Sequence, residues 1–232
     1  MKLYLSSQKL GNYHQKLLDL LGENKNVAIV ANALDDKTPE HRKIRVNKEF
    51  DLMKSIGLNP FELDLRDYFA NPDKLKEFIE DKSLIWVRGG NVFILRRAME
   101  AAKFDEIVLP KIKNGSIAYG GYSAGVIIVC KDLWASEIID DIYSVPLDYP
   151  CDETPSKALG LLNFYLVPHY NSLEEWAKDV PKYVKHLKDK NKKFLTLCDG
   201  EVYYFNNSMK GVLLKNDKKW KDKKIKKNEQ VY

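Results

Sequence analysis

Short apolar, β-branched runs alternate along this chain with longer amphipathic stretches, a rhythm that selects parallel strands joined by crossover helices. Strands are expected at Lys2–Leu5, Val27–Ala31, Phe61–Leu65, Leu84–Val87, Ser116–Tyr119, Phe164–Val167 and Phe194–Leu197. Most of these runs are apolar at successive positions, so both faces of the sheet should be covered. Tyr13–Leu21, Glu40–Ile56, Pro72–Glu80, Val92–Ala102 and Phe104–Lys113 place apolar residues three or four apart and read as helices. After the seventh strand, Val202–Phe205 and Val212–Leu214 flank the polar turn Asn206-Asn207-Ser208, the pattern of a hairpin. The fold class is therefore α/β: an open, mostly parallel sheet with helices on both faces and a C-terminal antiparallel hairpin. Leu133–Ala158 is acidic, weakly periodic and expected to be a long surface loop.

With 232 residues the chain can bury one substantial core, and a single domain over residues 1–214 is expected. The net charge of +5 is concentrated at the C-terminus. Between Lys215 and Glu229, eight lysines face only Asp217, Asp222 and Glu229, so the rest of the chain is neutral. That removes the case for a basic nucleic-acid groove across the fold. Residues 215–232 read as a solvated Lys-rich tail, with Trp220 and Ile225 the features that could make it a tether for an acidic partner. Cys130, Cys151 and Cys198 lack C-x-x-C spacing, so free thiols are expected and neither disulfides nor a metal site. The opening apolar run is too short for a signal peptide, and no stretch approaches the ~20 apolar residues of a membrane span. A cytoplasmic location without membrane contact is expected. Nothing selects a monomer or a homodimer.

Chemistry concentrates at Gly121-Tyr122-Ser123-Ala124-Gly125, between a strand ending in Gly120 and the apolar start of a helix at Val126-Ile127-Ile128-Val129. A strand that turns abruptly into a helix forces the central residue into a strained conformation and needs small neighbours. The turn lifts a serine hydroxyl clear of the sheet and frees the Ala124 N–H to bind an oxyanion. Ser123 is thus the expected nucleophile of an acyl-transfer reaction.

Tyr119-Gly120-Gly121-Tyr122-Ser123-Ala124-Gly125 resembles the elbow of the dipeptidase E family, the serine peptidases related to alpha-aspartyl dipeptidase. Ile29–Asp35, Leu63–Phe69, Val87–Asn91 and Val167–Ser172 resemble that family's other blocks, in the same order, and the likeness spans about residues 1–214. It implies a fold similar to the glutaminase domain of class I amidotransferases, with serine in place of that group's cysteine. It also implies a cofactor-free peptidase whose substrate is a very short peptide.

A serine hydroxyl needs a general base. His14, His41 and His186 fall on amphipathic or Lys-rich helices and read as surface residues. His169 follows the apolar run Phe164–Pro168 at the carboxyl end of an expected strand, the edge where open α/β sheets build their sites. A carboxylate should orient it, and Thr196-Leu197-Cys198-Asp199-Gly200-Glu201 supplies Asp199 and Glu201. Asp199 aligns better with the family's acidic position. Ser172, with Glu175 three residues on, reads as a helix capping box.

Arg88-Gly89-Gly90-Asn91 also joins a strand to a helix. By resemblance Gly90 supplies the second oxyanion N–H, and Gly89 and Asn91 are expected at the substrate. Specificity departs from the family. Every arginine (Arg42, Arg45, Arg66, Arg88, Arg96, Arg97) precedes Ser123, so a preference for aspartyl peptides does not transfer. Lys182 or Lys185 would have to substitute, and Arg88, Arg96 and Arg97 read as surface or packing residues. Two rival readings stand beside the peptidase. One is an α/β-hydrolase esterase using Asp152 or Glu153, and the other is a non-catalytic amidotransferase-like binding domain.

Overall fold

The computed structural model describes residues 1–150, 154–207 and 210–216. Its main sheet has seven strands: β1 (Lys2–Ser6), β2 (Asn26–Val30), β3 (Asn59–Glu62), β4 (Leu84–Val87), β5 (Ala118–Tyr122), β8 (Val202–Asn206) and β9 (Val212–Leu214). Their spatial order is β3-β2-β4-β5-β1-β8-β9. The first five are parallel neighbours, while β8 runs antiparallel to β1 and β9 antiparallel to β8. The expected α/β class and C-terminal hairpin are both present.

Alternation along each strand divides the core. Leu3, Leu5, Ala28, Val30, Ile85 and Val87 face one layer, whereas Tyr4, Val27, Ile29, Leu84 and Trp86 face the other, all fully buried. The first layer is covered by α4 (Val92–Ala101), α5 (Phe104–Ile107), α6 (Leu109–Asn114), α7 (Ala124–Ile127) and α8 (Val180–Asp189). The second is covered by α1 (His14–Leu21) and α2 (Pro39–Ser55), through Leu17, Leu20 and Met53. A further helix, α3 (Asp73–Phe78), buries Leu75 against the first layer. None of the described helices is long and apolar enough to cross a membrane.

Three expectations shift. The helix expected over Phe104–Lys113 is broken between α5 and α6, because Pro110 lacks an N–H and crowds the preceding turn. The third strand is Asn59–Glu62 rather than Phe61–Leu65, since the Asp64 side chain accepts from Arg66 N–H and starts a 3-10 turn. Finally, β6 (Tyr165–Val167) and β7 (Phe194–Thr196) leave the main sheet and pair in parallel with each other.

That detached pair matters because its register sets Val167 opposite Thr196. Leu197 N–H donates to Val167 O at 2.8 Å and Tyr170 N–H to Leu197 O at 3.0 Å, so the two strand exits stay together. His169 and Asp199 stand on those exits. Of the Lys-rich tail only Lys215 and Asn216 are described; Trp220 and Ile225 lie outside the described residues, as do Cys151, Asp152 and Glu153.

Candidate active site

Ser123 joins β5 to α7 with φ 55° and ψ −117°, a backbone conformation that costs an L-residue on the order of 1–3 kcal/mol. Packing enforces it. A Cβ on Gly125 would stand 2.2 Å from Val87 O, and one on Gly121 would stand 2.5 Å from the same carbonyl. The turn can therefore lie against β4 only with glycine on both sides of the serine. Gly89 is constrained from the other direction, since its Cβ would come within 2.6 Å of Ser123 Cβ. It backs the serine by close approach.

His169 is buried and also has positive φ, at 61°. Its Nδ1 lies 2.8 Å from Asp199 Oδ1, while its Nε2 is buried and has no hydrogen-bond partner among the described residues. Burial raises the Asp199 pKa, but the hydrogen bond and charge of His169, then hydrogen bonds from Ser172 and Ser7, outweigh it and hold the carboxyl at about 2. Ser7 is a further member that the sequence reading missed. Its fully buried hydroxyl accepts from His169 N–H at 2.7 Å and lies 3.0 Å from Asp199 Oδ1. Its position directly after β1 was the available signal. Trp176 sets its ring edge-on to the imidazole, with centroids 4.3 Å apart. The capping box is absent: Ser172 serves Asp199, and Glu175 opens a 3-10 turn ahead of α8.

Glu201 sits apart from the imidazole contacts. Its Oε2 accepts from Cys198 N–H at 2.9 Å and its Oε1 from Asn216 N–H at 3.4 Å, so it braces the turn that carries Asp199. Asn216 adds a bond from its Nδ2 to Asp199 O at 2.9 Å. Asn91 is likewise placed differently from expectation: its Oδ1 caps α4, accepting from Phe93 and Ile94 N–H, and its Nδ2 donates to Asp141 O. Its polar atoms are consumed by the fold. Gly90 has φ 153°, and its Cβ would lie 2.2 Å from Ala33 O. Ala124 is the first residue of α7, where an N–H has no intrahelical acceptor.

Ser123, His169, Gly89 and Gly90 line one cavity of about 450 Å³. The model of Peptidase family S51 matches residues 3–212. The chain belongs to this family. Relatives include an uncharacterized peptidase of Listeria innocua, 29% identical over 142 residues, covering 59% of this chain and 63% of the relative. Peptidase E of Shewanella baltica is 31% identical over 119 residues, covering 51% of this chain and 45% of that one. The chain thus spans less than two thirds of either relative's length. In fold, a crystal structure of a Listeria monocytogenes EGD-e protein assigned to peptidase E superposes with a TM-score of 0.74 at 21% identity. It covers 93% of this chain and 98% of its own.

Within this S51 chain the cavity has a charged lining that the sequence reading missed. Lys9, Lys37, His41, Arg45 and Arg88 reach it; His41 is exposed and Arg88 is buried and packed, as expected for each, and both line the cavity as well. Arg96 and Arg97 do not line it; both are buried, Arg96 on Asp105 and Glu100, and Arg97 with Nη2 donating to Ile142 O. Lys182 and Lys185 pair with Asp179 and Asp189 on the solvent face of α8. The lining carboxylate is Asp140, whose Oδ2 accepts from Val92 N–H at 2.9 Å. Burial pushes its carboxyl up to about 6, Val92 pulling the other way and Asp36 adding repulsion. Cys130 is a buried free thiol pushed up to about 12 by burial, which makes it inert.

Proposed function

We propose that this chain is a serine peptidase acting on dipeptides or other short peptides. In this reading Ser123 attacks the scissile carbonyl while His169 Nε2 takes its proton. Asp199 holds Nδ1–H and stabilises the imidazolium that forms. The Gly90 and Ala124 amides receive the tetrahedral oxyanion. Collapse breaks the C–N bond, the imidazolium returns its proton to the leaving amine, and water attacks the resulting acyl-enzyme by the same route.

The observation that carries the reading is the division of labour on one imidazole. With Nδ1 held 2.8 Å from Asp199 and Nε2 without a hydrogen-bond partner among the described residues, the nitrogen available for proton transfer belongs to a residue lining the same cavity as Ser123. The cavity's volume of about 450 Å³ suits a ligand of a few residues. Membership of a peptidase family and similarity to a protein named peptidase E point the same way.

Labelling with a fluorophosphonate, together with a dipeptide-library assay of the purified chain and its Ser123→Ala variant, tests the proposal. Wild-type labelling and cleavage that both vanish in the variant are expected. Equal labelling or turnover in the two proteins overturns it.

A further inference from the structure

The walls of the cavity differ in character. Ile127, Ile139, Val167, Pro168, Val180 and Tyr183 form its apolar part, and Asp140 is its lone carboxylate among the described residues. Against that single acid stand Lys9, Lys37, Arg45 and Arg88, so a bound ligand meets surplus positive charge.

The protein neutralises these cations unequally. Arg88 is buried, with Nε 3.6 Å from the Glu49 carboxylate and Nη1 donating to Gly89 O at 2.7 Å. Lys37 pairs with Asp36 at 2.6 Å. The Arg45 guanidinium makes one hydrogen bond among the described residues, from Nε to His41 Nε2 at 3.0 Å. That bond steadies the group by its inner nitrogen and leaves both terminal nitrogens for a ligand. A planar fork of this kind matches a carboxylate, whereas Lys9 offers only a point charge on a flexible stem.

The helix carrying the pair is held firmly. His41 and Arg45 are one turn apart on α2, so they share a face. Between them Arg42 points to the opposite duty: its guanidinium reaches Asp35 at 2.7 Å, Glu62 at 2.6 Å and Asp64 at 3.1 Å. Thr38 caps the start of α2 by accepting from His41 N–H. Arg45 therefore projects from a fixed base toward the cavity.

We infer that Arg45, steadied by His41, receives the free C-terminal carboxylate of a short-peptide substrate; the inference rests on the peptidase reading above. A carboxylate on the substrate's side chain is the other source of this chemistry. A peptide with an acidic side chain brings that charge in addition to its terminal carboxylate, and the apolar lining with Asp140 would leave the second charge poorly solvated and repelled. Every unblocked peptide carries the terminal group, and only in a very short one does it lie close to the scissile bond. A receptor that shares the cavity of Ser123 limits substrate length.

The test compares Ala-Leu with Ala-Leu amide, and Asp-Leu amide with Asn-Leu amide, in wild type, Arg45→Ala and Arg45→Lys. Arg45→Ala should raise KM for Ala-Leu about tenfold or more, as loss of a charge-assisted pair does, with kcat changed less than about twofold. The amide should be a poor substrate for wild type and be unaffected by the substitution. Arg45→Lys should recover part of the affinity. Calorimetric titration of Ala-Leu into Ser123→Ala, with and without Arg45→Ala, should show the same factor in Kd without turnover. Equal effects on acid and amide overturn the inference, as does a loss confined to Asp-Leu amide, which would assign Arg45 to an acidic side chain. Failure of the underlying reading is distinguishable: wild type would then take no fluorophosphonate and cleave no peptide, and both proposals would fall together.

Discussion

His169 Nδ1 and Asp199 Oδ1 lie 2.8 Å apart at the exits of two short parallel strands that pair with each other outside the main sheet, while Glu201, two residues on, braces the turn through Cys198 and Asn216. The two acids should therefore fail differently. Asp199→Asn should lower kcat by roughly 10³- to 10⁴-fold with the fold retained, since an amide favours the wrong imidazole tautomer. Glu201→Gln should cost about 1–3 kcal/mol of stability while leaving kcat of the folded protein within a few-fold. Steady-state kinetics beside urea denaturation would separate them, and the reverse pattern would reassign the acid.

The glycines of the two turns predict a second contrast. Gly125→Ala drives a methyl toward the Val87 carbonyl at 2.2 Å, where backbone must move, so destabilisation of about 2 kcal/mol or more is expected. Gly89→Ala meets Ser123 Cβ at 2.6 Å and should displace the nucleophile. A loss of roughly 10²-fold in kcat with a smaller change in the denaturation midpoint is the expected outcome.

Arg42 compensates three acids at once, and the Asp35 side chain among them is fully buried. Arg42→Ala leaves that charge without its main partner and should cost about 3–5 kcal/mol in chemical denaturation. Because Ala33, two residues before Asp35, packs on Gly90, activity should fall even where the protein remains folded. Unchanged stability would show that Arg66, 3.6 Å from Asp35, suffices.

Two carboxyls give opposite pH signatures. Asp140 sits at about 6 when folded, above the ~3.9 of an unfolded chain, so the folded state holds its proton more tightly. Stability should fall as pH rises from about 4 to 6 and stay lower above. Asp140→Asn keeps an acceptor for Val92 N–H and should gain about 1–2 kcal/mol at pH 7.5 but little at pH 4. Asp199, held at about 2, contributes in the other direction: roughly 2 kcal/mol present above pH ~4 and lost as pH falls toward 2. Denaturant melts of wild type, Asp140→Asn and Asp199→Asn across pH 2–8 check each sign.

Local pattern determined the α/β alternation, the hairpin of β8 and β9, and the glycine-flanked turn at Ser123, because strand and helix periodicity and the steric demand of a tight turn act within a few residues. The positions of His169 and Asp199 at strand exits were legible for the same reason. Which carboxylate meets the imidazole, the service of Ser7 beside it and the arrival of His41 and Arg45 at the cavity were decided by tertiary structure. Each depends on the register of the β6–β7 pair or on how α2 is anchored over β3. Those relations join residues 30 to more than 160 apart, as between His169 and Asp199 or Ser7 and His169, and no periodicity along the chain encodes them.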